Sequence, residues 1–212
     1  MVQEDLILLR ASDGGDYRAV AASVCFSFGD LPKRIGDAHS MAQLHAKVDN
    51  YDRDLSNPVS RMMAALKHTK PIWRTNWGLS FCGSLHPTPD RYALNLEKRR
   101  RVFPNAAETM WDGVDGCVRR IQEHGCGQAM FVKTEYQTLR RLYRNPDYVL
   151  FTVRTHVDPL SKLQGLPRAA ALLADNLRLA SQIDFRKYKG IDDPRILRLL
   201  LEYLQTIQAD SA

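Results

Sequence analysis

The sequence predicts an α+β protein, a PAS-like arrangement in which a five-stranded antiparallel sheet is covered by helices and further helices are added at the C-terminal end. Three observations carry this. Residues 148–157 alternate with period two, Val149, Phe151, Val153, Thr155 and Val157 facing one way and Leu150, Thr152, Arg154 and His156 the other. That is the pattern of a strand with one buried face. Residues 130–138 supply a partner strand, and Asn145-Pro146-Asp147 the turn that makes the two a hairpin. The chain also runs in the order two strands, helices, three strands.

Residues 2–10 and 17–28 read as strands joined by the turn Ser12-Asp13-Gly14-Gly15-Asp16. Leu31-Pro32-Lys33 opens a helical stretch in which Met41, Leu44 and Val48 recur at helical spacing. A second helix over 54–67 carries Leu55, Val59, Met62, Met63 and Leu66 on one side. Residues 71–81 return to strand. Residues 84–105, with Pro87, Pro89, Pro104 and a basic run, look like a surface insertion. A helix follows over 106–124, opposed by Gly113 and Gly116. A hairpin turn centred between Arg144 and Asn145 sets Glu135 opposite Arg154. Beyond Pro159, residues 163–183 and the stretch from Pro194 are helical, Pro194 sitting where a helix starts. The expected division is a domain over 1–160, with an insertion near 84–127, and a helical extension over 161–212. That extension packs on the same domain or forms a homo-oligomer contact. Two strands, helices and three strands is the PAS order, in which helices cover a ligand pocket, although the order recurs in other folds.

At 212 residues, 44% hydrophobic and 25% charged, the chain has the composition of a soluble globular domain. No apolar run approaches bilayer length, and residues 1–5 show no basic, apolar signal pattern, so no membrane association and a cytoplasmic location are expected. Cys25, Cys82, Cys117 and Cys126 are scattered, which suits reduced thiols and neither a disulfide frame nor an iron–sulfur centre. The net charge of +6 raises nucleic acid as a partner. Lys98-Arg99-Arg100-Arg101 and Arg140, Arg141 and Arg144 are the densest basic groups, but no RNA-binding or zinc-finger motif accompanies them. They read as a solvated basic face, on which an acidic electron-donor protein could dock.

Taken alone, Glu135 and Arg154 are either an ordinary cross-strand ion pair or an acid and a base lining a pocket. The run Glu135-x-Gln137-Thr138-Leu139-Arg140-Arg141-Leu142, followed by Leu150-Phe151-Thr152-Val153-Arg154-Thr155 and Val157-Asp158-Pro159-Leu160, resembles the haem-dependent oxidative N-demethylase family. Further matches run in the same order: Val2-Gln3-Glu4-Asp5-Leu6, Ala21-Ala22-Ser23-Val24-Cys25-Phe26, Leu44-His45-Ala46, Trp73-Arg74-x-Asn76-Trp77 and Tyr188-Lys189-Gly190. The resemblance implies haem b in a PAS-like domain and removal of a methyl group from a small secondary amine. It also implies O2 as oxidant and electrons from NADPH, delivered through separate flavin and iron–sulfur proteins. Two departures stand out. Family members carry several dozen residues ahead of the strand that here begins at Val2, so a chain lacking that segment is expected. The family's Ala-Pro-Val-Pro-Gly-Tyr is Ala46-Lys47-Val48-Asp49-Asn50-Tyr51 here, which loses two φ-fixing prolines.

Under this resemblance six histidines compete to be the axial ligand. His68, His86 and His124 sit at turns or a helix end and read as surface residues. His45 ends the helical cover and matches the family's histidine motif, so it is the expected iron ligand, a structural role being the alternative. Arg74 and Arg154, on strands bordering the pocket, suit haem propionates. Trp73 and Trp77 read as core residues, with stacking on the porphyrin as the alternative for either, Trp77 being the one assigned to the cofactor. Glu135 would bind the protonated amine or relay a proton, kept ionised by Arg154. A non-catalytic haem or gas sensor and a PAS-like interaction module remain the rival readings.

Overall fold

The computed structural model describes residues 3–13, 15–24, 35–36, 39–45, 51–86, 88–179, 189, 191 and 193–209. It contains a five-stranded antiparallel sheet of β1 (Asp5–Ala11), β2 (Tyr17–Ser23), β3 (Ile72–Ser80), β4 (Phe131–Arg141) and β5 (Tyr148–Pro159), in the order β2-β1-β5-β4-β3. The chain divides into two compact units, one of residues 1–76 and 135–155 and the other of 77–134 and 156–212. The α+β class is as the sequence predicts.

In the first unit, period-two burial selects the inner face. Asp5, Ile7 and Leu9 of β1 are buried and alternate with half-buried neighbours. Tyr17 and Ala19 continue that face on β2, across a register shift between Leu8 and Leu9. Leu139 and Val149 add the hairpin's contribution. The apolar sides of α1 (Met41–Leu44) and α2 (Ser56–Ala65) close over this face through Met41, Leu44, Val59, Met62 and the buried Met63. Ser40 caps α1 with a capping box, its hydroxyl accepting from Gln43 N–H while Gln43 reaches back to Ser40 N–H. The turn of π-helix Tyr51–Leu55 leads into α2, so the helix predicted over 54–67 is shorter and begins differently. The predicted helical residues 31–34 and 46–50, and the strand end at 25–28, lie outside the described residues.

In the second unit, α4 (Gly113–His124), α5 (Cys126–Ala129), α6 (Pro167–Leu179) and α7 (Pro194–Ala209) bury Cys117, Met130, Leu160, Leu177, Ile196 and Leu200 together. Residues 84–105 are not only a surface insertion. They include α3 (Leu96–Val102), and Ala93 is a core residue. The helix predicted over 106–124 begins instead at Gly113, whose φ of 76° no β-branched or bulky residue accepts readily. Gly116 is required for packing, because a Cβ there would collide with the Trp111 backbone. The basic run is not wholly solvated either. Arg99 is 2% exposed and its guanidinium meets Asp112 Oδ2 at 2.8 Å and Ala107 O at 2.5 Å. Among the described residues no helix is long and apolar enough to cross a membrane.

Candidate functional site

The hairpin places the predicted acid and base, and it does so in a different register from the expected one. Tyr148 N–H donates to Asn145 O at 3.0 Å, closing a turn with Pro146 at its first inner position, where a fixed φ and a missing N–H are both tolerated. The pairing then runs Leu142 with Tyr148, through a 2.9 Å backbone bond, and Thr138 with Thr152, whose hydroxyls meet at 2.7 Å. Leu160 N–H donates to Met130 O at 2.9 Å at the far end in the same register. Glu135 therefore opposes Thr155, not Arg154. A one-residue slip moves every side chain to the other face, so Glu135 shares the inner face with Gln137, Leu139, Val153 and Thr155. Arg154 stands on the outer face with Tyr136, its guanidinium 2.9 Å from Gln3 Oε1 and 3.6 Å from Glu4 Oε1. These are exposed contacts that contribute little.

The inner face carries a polar row that the sequence reading did not assemble. Arg74 Nε donates to Gln137 Oε1 at 2.7 Å, and Gln137 Nε2 donates to Glu135 Oε2 at 2.9 Å. Gln137 is 5% exposed and bridges the two charges. Because Arg74 holds the amide oxygen, the amide N–H groups are turned toward the carboxylate. Next to this row Thr155 is 8% exposed, and its Oγ1 has no hydrogen-bond partner among the described residues. A buried hydroxyl left so costs about 1–3 kcal/mol. Asp5, fully buried on β1, pairs in register with Val153 on the same face. The presence of Gln137 in the Glu-x-Gln spacing was the available signal for the row, since period two places the two side chains on one face.

His45 follows the last residue of α1. Its Nδ1 lies 2.8 Å from Met41 O, and its ring stacks on buried Tyr51 with centroids 4.4 Å apart and planes 5° from parallel. A carbonyl oxygen only accepts, so Nδ1 carries a proton, and in a neutral ring Nε2 then holds the lone pair, the arrangement that orients an imidazole for a metal. His39, by contrast, has a buried Nδ1 with no hydrogen-bond partner among the described residues. Trp73 is the other reversal: it is 64% exposed, on the outer face of edge strand β3, stacked on Tyr136 at 5.7 Å. In the second unit half-buried Trp77 packs on the core, with the ammonium of Lys189 4.6 Å from its ring centroid and 2.7 Å from its carbonyl oxygen.

Among the described residues no three His, Cys, Asp or Glu side chains converge on a point. A macrocycle-bound iron needs less from the protein, an oriented imidazole and cations for its carboxylates. His45 fits the first need. Arg74 fits the second, since only its Nε is engaged among the described residues. Two open surface cavities, of about 540 Å³ beside Arg10 and Arg18 and about 610 Å³ beside Trp111 and Arg120, include none of these residues.

A sequence profile of the family described as haem-dependent oxidative N-demethylase, alpha subunit-like matches residues 1–195. The chain belongs to this family. No curated protein matches it.

Proposed function

We propose that the chain binds haem through a PAS-like unit and carries out oxidative N-demethylation of a small secondary amine. O2 is the oxidant, and electrons come from a separate reductase, ultimately from NADPH. The observation that carries this reading is the imidazole of His45, held through Nδ1 by the Met41 carbonyl and flattened against Tyr51, with Nε2 left for iron. Membership of the family supports it, and so does the strand order, with helices over one sheet face. Haem, when bound, supplies the iron at which dioxygen and electrons meet. Arg74 offers its terminal nitrogens to a propionate while its Nε keeps Gln137 aligned. Glu135, oriented by Gln137, holds the substrate as an ammonium ion and takes up its proton when the amine reacts.

The test is the absorption spectrum of protein expressed with a haem precursor. Parent protein is expected to show a Soret band, and His45→Ala to lose haem or shift that band, with added imidazole restoring it. His39→Ala is the comparison and should leave the spectrum unchanged. A His45→Ala protein with parental haem content and spectrum rules out His45 as ligand. A colourless parent rules out the haem reading altogether.

A further inference from the structure

Glu135 accounts for the charge of an ammonium ion but not for its second N–H bond. We infer that Thr155 is the second polar contact of the amine site, its Oγ1 accepting a hydrogen bond from the ammonium that Glu135 holds. The site would thereby select ammonium ions with at least two N–H donors. This rests on the amine-binding role of Glu135 proposed above.

Three features of the inner face point to Thr155. Its Oγ1 is the hydroxyl that is buried and without a hydrogen-bond partner among the described residues. Valine has the same shape and would carry no desolvation cost at that position, so the hydroxyl calls for a partner beyond the described residues. Its place in the ladder is the second feature. The backbone bonds at Leu142 with Tyr148 and at Met130 with Leu160 make the even-numbered positions of β4 the hydrogen-bonded pairs. Glu135 and Thr155 are then a non-hydrogen-bonded pair, the kind whose Cα atoms are only about 4.5 Å apart and whose side chains approach closest. The third is rigidity. Glu135 Oε2 is fixed by Gln137, which is fixed by Arg74, so the carboxylate and the hydroxyl stand on strands as a preformed pair of acceptors.

The chemistry follows from counting donors. A secondary ammonium has two N–H bonds and can serve both acceptors. A tertiary ammonium has one and leaves the hydroxyl unserved, and a quaternary ammonium has none. Sites built to hydrogen-bond a group discriminate against analogues that lack it.

Calorimetric titration of purified protein, without reductant, with dimethylammonium, trimethylammonium and tetramethylammonium chlorides tests this. Parent protein should bind dimethylammonium roughly tenfold more tightly than trimethylammonium, the ratio of one hydrogen bond of about 1.4 kcal/mol, and tetramethylammonium more weakly still. Thr155→Val should bring the first two within about threefold of each other, with an unchanged or higher unfolding midpoint, while Thr155→Ser keeps the parental ratio. If the valine variant does not fold, Thr155→Ala gives the same comparison. A parental ratio in Thr155→Val, alongside lost binding in Glu135→Gln, overturns the role of Thr155 and leaves that of Glu135 standing. A parent that binds none of the three ions overturns the amine reading and this inference with it.

Discussion

Arg141 fastens the hairpin to the helical cover, and replacing it should cost far more than its place in a basic cluster suggests. Its Nε donates to Leu66 O at 2.7 Å, and its Nη2 donates to Met63 O at 2.7 Å and to the Tyr17 hydroxyl at 2.8 Å. Nη1 donates to Pro146 O. Met63 and Leu66 lie at the C-terminal end of α2, where carbonyls lack helical partners and a cation is favoured. Each bond from a charged donor contributes about 1.5–3 kcal/mol in isolation, but bonds sharing one guanidinium are not additive. Arg141→Met removes all of them and lets water reach the helix end, so the expected loss is about 3 kcal/mol, a hundredfold or more in the folding equilibrium. Tyr17→Phe should lose about 1–2 kcal/mol, and the double variant less than the sum, because both changes remove the same bond. Urea denaturation of the four proteins measures this. A loss under about 1 kcal/mol in Arg141→Met, or strict additivity with Tyr17→Phe, would refute the reasoning.

Arg99→Met strands the Asp112 carboxylate, whose side chain is 4% exposed, and should destabilise the protein by about 3–5 kcal/mol in chemical denaturation. Replacing Arg99 and Asp112 together by apolar residues should cost clearly less, and an equal cost would mean that the pair itself is not what matters. Burial pushes the thiols of Cys117 and Cys126 up to about 12 from the ordinary 9.0. The folded chain keeps protons that the unfolded chain releases, so stability is full below about pH 9 and falls as the pH rises toward 12. The urea midpoint should therefore drop between about pH 8 and about pH 10. It should drop less when both cysteines are alanine, and an identical drop in that variant would remove the thiols as the cause.

What could be read from the sequence and what could not divides along the range of the interactions involved. The strands β1 and β5, and the start of α7 at Pro194, were legible because alternation and capping are written in neighbouring residues. His45 was legible as a motif, yet the bond from its Nδ1 to the Met41 carbonyl, which orients the ring, is an outcome of where α1 ends. The Glu135–Arg154 pairing failed because a shift of one residue at the Pro146 turn reverses the faces of the strand, and local pattern does not resolve such a shift. Trp73 was read as core because it is large and apolar, but β3 is an edge strand and its outer side faces solvent. Arg99 and Arg141 looked like two more surface cations. Arg99 is buried against a carboxylate 13 positions on, and Arg141 is tied to groups 75 to 124 positions away. Local residues determined which segments are strand and which are helix by the periods their backbones allow. Which charges are buried, and which face Glu135 presents, were decided by partners that only the folded chain brings together.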